Sequence, residues 1–252
     1  MRFLAWNDGR VVEASQLQHD APYLLYRIHS YNHIVYNAVY AVKHMQMATE
    51  YYFGFNTLVK PSDVERIATK LLEVCFAPKY ISVPIDLRIN IYGELSITVC
   101  DPSYGKGYYM RALRPALGIV EASYSKDIVQ TSVSVATDYW VQGVVKRAGG
   151  DEAVVVDKQG LVVSLAWRLL FIVTPTTVYT PMEYDVAEFK AVRNAVKATN
   201  LQFVVCDIPQ NILTLAEEIF TVDAMGVTSY SRIKDTPLMM SKTNIIVQNM
   251  VL

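Results

Sequence analysis

The sequence predicts a two-domain α+β fold, and three observations carry that reading. Hairpin signatures and amphipathic helical stretches interleave along the whole chain. Of its 252 residues, 52% are hydrophobic, ample for one or two compact domains of about 100–150 residues. A Pro- and Gly-containing break lies near the middle, so the expected domains are residues 1–115 and 116–252.

In the first half, residues 24–36 read as two short strands about a turn at Ser30-Tyr31-Asn32-His33. A helical pattern follows over 36–53, with Gly54 placed to cap its C-terminus. Pro61-Ser62-Asp63 opens a second helix towards Cys75, with Ile67, Leu71, Leu72 and Val74 at apolar spacing; Pro78 marks its end. Residues 87–92 and 95–100 alternate in the strand manner around Gly93-Glu94, a second hairpin. Between 101 and 115, Asp101-Pro102-Ser103, Gly105, Gly107 and Pro115 predict a flexible loop close to the domain boundary.

The second half starts with a strand at 117–121 and a helix over 137–147, where Thr137 or Asp138 is placed to cap the first turn. Gly149-Gly150 ends that helix. A long hairpin follows, from 153–157 through a turn at Lys158-Gln159-Gly160 to 161–173. Then come a helix near 188–198, a strand at 203–206, a helix from about 211, a strand at 219–222 and a short C-terminal helix.

Composition narrows the function classes. The net charge is −1 with both signs interspersed, whereas a nucleic-acid surface shows a basic stripe. The opening MRFLAWNDGR holds no long apolar run, so it does not read as a signal peptide. No window has about 18 uninterrupted apolar residues, the length of a membrane span. Cys75, Cys100 and Cys206 are odd in number and lack metal-ligand spacing. They read as reduced thiols in a cytoplasmic protein.

Four collinear segments then carry a resemblance. Asp138-Tyr139-Trp140 opens a helix that runs to Ala148. The run from Gly150-Asp151-Glu152-Ala153 to Asp157-Lys158-Gln159-Gly160 has the form Gly-x-Asp-Glu-Ala-hydrophobic-Asp-x-x-Gly. Phe171 and Thr180-Pro181 fit a strand ending in Thr-Pro. Glu217-Glu218-Ile219-Phe220-Thr221, with Gly226-Val227, closes the set. Together, over about 90 residues, they resemble the cofactor domain of the class IV pyridoxal-phosphate aminotransferases and aminodeoxychorismate lyases (fold type IV, the fold of D-amino acid aminotransferase). The first half matches in outline only. The resemblance implies a two-domain enzyme scaffold with its site between domains, and a homodimer.

The departures fall in cofactor contacts. Where the family carries its imine-forming lysine, the chain has Ser134 or Val135, and neither can form an imine. The family glutamate that pairs with the pyridinium nitrogen falls at Ser164, and its asparagine at Leu169. The phosphate-holding Gly-Ile-Thr-Arg turn at a helix N-terminus appears as Lys190-Ala191-Val192-Arg193. For the basic residue of the N-terminal helix, Lys43 or His44 is the candidate replacement. No other lysine substitutes: Lys126 is too far upstream, and Lys146 lies roughly 12 Å of helix beyond Asp138. The expected function is therefore a non-catalytic binding or structural homologue without pyridoxal phosphate. Its vestigial pocket would be lined by Lys43, Ser134, Ser164, Lys190 and Arg193 and suited to a small anion. The alternative is an active aminotransferase or aminodeoxychorismate lyase that uses pyridoxal phosphate on amino or keto acids.

Other constellations read as structure. Asp151-Glu152 is expected in a solvated turn. His29, His33 and His44 lack ligand geometry, and no metal site is expected. Ser132, Ser134 and Thr137 have no histidine near them in sequence. Gly105-Lys106-Gly107 lacks the spacing of a phosphate loop.

Overall fold

The computed structural model describes residues 1–17, 20–102, 109–123, 127–165, 168–224 and 226–250. In chain order the elements are β1 (Leu4–Asn7), β2 (Arg10–Glu13), β3 (Tyr23–Tyr31), β4 (Ile34–Val35), α1 (Ala38–Phe53), α2 (Pro61–Val74), β5 (Val83–Asn90), β6 (Leu95–Val99), β7 (Ala116–Glu121), β8 (Gln130–Thr131) and α3 (Ser132–Arg147). They continue with β9 (Glu152–Val156), β10 (Leu161–Ser164), β11 (Leu169–Val173), β12 (Thr177–Thr180), α4 (Ala187–Lys197), β13 (Gln202–Val205), β14 (Ile208–Pro209), β15 (Glu218–Asp223), β16 (Gly226–Ser229), β17 (Arg232–Ile233), β18 (Thr236–Pro237) and α5 (Ser241–Gln248). No helix among the described residues is long and apolar enough to cross a membrane.

The chain divides into two compact units, Met1–Gly107 with Ile128–Val133, and Tyr108–Asp127 with Ser134–Leu252. In the first unit an antiparallel sheet runs β2-β1-β6-β5-β3-β4, and β8 adds to β3. Its strands alternate. Leu24, Tyr26 and Ile28 of β3, with Ile85, Leu87 and Ile89 of β5, point to a core shared with Ala41, Met45, Ala68 and Leu72 of the two helices. Gly54 takes a left-handed φ of 75° and ends α1 with its N–H on Glu50, the geometry glycine adopts without Cβ strain. Pro61 opens α2 at its first position, where the missing N–H is unneeded.

The second unit stacks two sheets. One runs β14-β10-β9-β7-β17-β18, the other β13-β12-β11-β15-β16. Val154 and Val156 of β9 face a core with Leu170, Ile172 and Ile219 of the other sheet. Ala153 and Val155 face the opposite way, onto Val141 and Val145 of α3. A strand buried on both faces explains the uninterrupted apolar run after Glu152. The β7–β9 pair is parallel, with α3 as its crossover. The approach is tight: a Cβ on Gly150 would lie 2.6 Å from Val145 and 3.3 Å from the Gly118 nitrogen, so only glycine fits unshifted.

Several expectations need correction. The 161–173 strand is two strands in different sheets, because β10 ends at Ser164 and β11 starts at Leu169. Helix α3 starts at Ser132, so Thr137 and Asp138 lie inside it rather than at its start. The helix expected from 211 is one short 3-10 segment. Of the expected flexible loop, residues 109–111 are tied to β16, with Arg111 N–H on Val227 O (2.8 Å) and Val227 N–H on Tyr109 O (3.0 Å). Arg114 reaches the carbonyls of Tyr230 (2.7 Å) and Leu238 (2.8 Å). Gly105-Lys106-Gly107 and Lys126 lie outside the described residues.

Candidate functional site

In the second unit two of the segments that carry the resemblance contribute to a buried ionic cluster, through Glu152 and Thr221. Residues Leu165 and Arg168 pair as an antiparallel bridge, and Arg168 projects between two carboxylates. Its Nη1 donates to Glu152 Oε2 (2.6 Å), and its Nε is 3.0 Å from Asp223 Oδ2. Arg111 Nη2 donates to the other Asp223 oxygen (2.7 Å). The fully buried Tyr230 hydroxyl donates to Glu152 (2.7 Å) and lies 3.0 Å from the Thr221 hydroxyl. Two guanidinium groups and two carboxylates balance. Burial alone would lower the Arg168 pKa, but Tyr230, Asp223 and Glu152 hold it above its ordinary value. Burial, reinforced by Glu152, raises Tyr230. The expected solvated turn at Asp151-Glu152 is thus corrected: Glu152 is an acceptor within this cluster, and Asp151 accepts the Ala116 N–H (2.8 Å).

The residues expected at the vestigial pocket are placed as follows. Ser134 and Val135 sit in the first turn of α3. Ser164 is 5% exposed and lies opposite Val155, where the β9–β10 register shifts. Lys190 and Arg193 lie well inside α4 rather than at its start, and the Lys190 N–H already bonds Val186 O (3.2 Å). Lys190 pairs with Asp185 (2.6 Å) and Arg193 with Glu183 (2.6 Å). The Arg193 guanidinium also stands over the rings of Phe189 (5.3 Å) and Phe203 (5.5 Å). The first turn of α4 carries the buried Glu188. In the first unit, Lys43 is exposed on α1. His44 stacks on Tyr26, His29 on Tyr36, and the His33 ring meets Ala77 O (2.8 Å).

A second polar cluster occupies the face of the first unit's sheet opposite its helices. Asp86 is 2% exposed. It accepts Arg27 Nε (2.5 Å) and Nη2 (2.8 Å) and, more loosely, Arg88 Nη2 (3.3 Å). Arg88 Nη1 is 3.5 Å from Thr98 Oγ1, its guanidinium stands 5.8 Å from the Tyr23 ring centre, and its Nε has no partner among the described residues. Sequence reasoning missed both clusters, although Arg27, Asp86, Arg88 and Arg168 interrupt strongly apolar strand runs, a usable signal.

Burial beside Asp86 pushes the Cys100 thiol up to about 12, and burial beside Asp127 pushes the Tyr184 phenol up to about 12. Both are acids whose neutral form the fold prefers. Below about pH 9 they are neutral folded and unfolded and contribute nothing. Above it the unfolded chain ionises first, so stability should fall between about pH 9 and 12, by at most about 1.4 kcal/mol per pH unit per group. Denaturant midpoints at pH 8, 9.5 and 10.5 check this; a flat profile would contradict it.

No protein-family model matches this sequence, and no curated protein does. Solved structures match over almost the whole chain. A branched-chain aminotransferase from Thermoproteus uzoniensis, solved with norvaline, aligns at a TM-score of 0.77 and 14% identity, covering 99% of this chain and 94% of that one. The Escherichia coli branched-chain aminotransferase aligns at 0.78 and 14%, covering 98% and 93%. An aminotransferase from Brucella abortus bound to the cofactor PLP aligns at 0.78 and 12%, covering 98% and 97%. At these identities the likeness establishes the fold.

Proposed function

We propose that this chain, which has the fold of the class IV aminotransferases, is a non-catalytic binding protein that has lost pyridoxal-phosphate chemistry. The observation that carries this is the first turn of α3, where Ser134 and Val135 stand at the positions the resemblance assigns to the imine-forming lysine. Neither supplies an amine. In the second unit, Lys146, Lys158, Lys190, Lys197 and Lys234 are exposed, and Lys242 is held by Glu217 (2.6 Å) and two carbonyls. At Ser164 a hydroxyl replaces the carboxylate that would keep a pyridine nitrogen protonated. The first turn of α4 favours an anion, yet the chain's own Glu188 already sits there. A phosphate would meet that charge. These residues do not fit the cofactor.

The same reading includes a small anionic ligand, a homodimer and a cytoplasmic setting. Lys190 and Arg193 are neutralised by their own carboxylates, so the loosely held Arg88 supports the anion better. On α3, Tyr139 and Trp140 are 78% and 56% exposed. Exposed aromatic surface of this kind supports self-association. The alternative, a working aminotransferase or aminodeoxychorismate lyase, draws on the PLP bound by the Brucella abortus neighbour.

The deciding experiment adds pyridoxal phosphate to the purified protein, records the spectrum, reduces with borohydride and measures intact mass. No imine band and no adduct are expected. A visible-range band with a stable mass gain at one lysine would overturn the proposal and favour the alternative.

A further inference from the structure

We propose that the first unit holds a binding cleft for a small dipolar ligand, an apolar or aromatic ring system carrying an amine at one end and a carboxylate at the other. The cleft lies between the β1–β2 hairpin and α2, on the helix side of the sheet. It has two adjoining lobes. The first, about 460 Å³, is lined by Trp6, Phe55, Leu58 and Ile67 among others, with Asp8, Asn56, Asp63 and Arg66 among its polar groups. The second, about 500 Å³, shares Trp6, Arg66 and Ile67 and adds Val11, Leu71 and Val74, with Lys70 and Glu73. Each lobe is within the volume range of small-molecule sites.

Charge separates along the cleft. Asp8 and Asp63 line only the first lobe, Lys70 and Glu73 line only the second, and Arg66 is shared between them. A ligand lying across the shared Trp6 wall therefore meets the Asp8 carboxylate at one end and the Lys70 ammonium, with Arg66, at the other. The groups that would receive it are available. Among the described residues, the Trp6 indole N–H, the Asp8 carboxylate, the Asn56 amide and the Lys70 ammonium have no hydrogen-bond or ion-pair partner. Among the described residues Arg66 pairs only with Asp63, at a long 3.4 Å, and the Arg66 side chain is 64% exposed. Trp6 presents an aromatic face for ring stacking and for an ammonium. At the mouth Leu58 is 90% exposed, apolar surface that a bound ring would cover. The loop carrying Leu58 is held from below, with Gln46 Nε2 on Val59 O (3.4 Å), so the wall is in place before a ligand arrives.

This inference is independent of the fate of the cofactor. The test is calorimetric or NMR titration of the whole protein with 4-(aminomethyl)benzoate, 4-methylbenzoate (no amine) and 4-methylbenzylamine (no carboxylate). The doubly charged compound should bind most tightly. Asp8→Asn and Arg66→Gln each remove one surface charge without touching the core, and each should weaken it about tenfold, the usual effect of losing a charged hydrogen bond. Trp6→Phe should weaken it less, and unchanged melting temperatures would show that all three variants fold. No binding by 4-(aminomethyl)benzoate overturns the site. Equal binding of either singly charged analogue overturns the dipolar recognition, and undiminished binding in both charge variants overturns the location.

Discussion

Replacing Glu218 by alanine is expected to destabilise the second unit by about 3–5 kcal/mol, the range for disrupting a buried charged network. Glu218 is 1% exposed on β15. Its Oε1 accepts Ser241 Oγ (3.0 Å) and the Lys242 N–H (2.8 Å). Its Oε2 accepts the Thr243 N–H and the Thr243 hydroxyl, both at 2.7 Å. The residue preceding α5, Met240, makes no side-chain cap bond. The helix is therefore capped from a neighbouring strand, and a full negative charge sits at its positive end. Glu218→Gln keeps the shape and one acceptor oxygen, so it should cost roughly half as much, following the weaker neutral hydrogen bond. Urea midpoints and hydrogen exchange of the α5 amides measure both. An unchanged midpoint with full α5 protection would refute the assignment.

Arg168→Met should cost a similar amount, about 3–5 kcal/mol, for a different reason. Methionine fills much of the volume but leaves Glu152 and half of Asp223 facing apolar surroundings without their cation. The cost is the stranded charge rather than the lost pair. Adding Glu152→Gln to Arg168→Met should consequently recover part of the loss, the signature of coupled neighbours. Additive effects in that double variant would mean the two side chains do not act together.

The fold was largely readable where one residue type settles a local geometry. Gly54 and Pro61 marked the ends of α1 and α2 as the structure has them. The hairpin at Gly93-Glu94 followed from period-two alternation, although β5 starts earlier than expected, at Val83, and ends at Asn90, so that Ile91 and Tyr92 belong to the turn. Misses came where two signals competed. Val133 and Val135 disfavour helix locally, which hid the first turn of α3. The apolar run from Leu161 to Val173 looked like one strand because its two halves are equally buried, each within its own sheet. The β1–β2 hairpin went unassigned although Asp8-Gly9 is a strong turn dipeptide, because strands of four residues give little periodicity. For the site, spacing located Ser134 and Ser164 on their elements. The helix register of α4 and the pairing of its cations were not readable, since Glu183, Asp185 and Glu188 acquire meaning only once the helix start at Ala187 is known.

The pairing of β8 with β3, through Leu24–Thr131 and Leu25–Gln130, bears on how the protein is made. A newly synthesised chain cannot finish its first sheet when residue 107 has emerged. It must wait until residues 128–133 follow, after β7 of the second unit has already been synthesised. At about 5–20 residues per second, the growing protein spends a second or more with that stretch of β3 open. A gene fragment stopping near residue 115 would leave the same edge exposed permanently, inviting strand addition between copies.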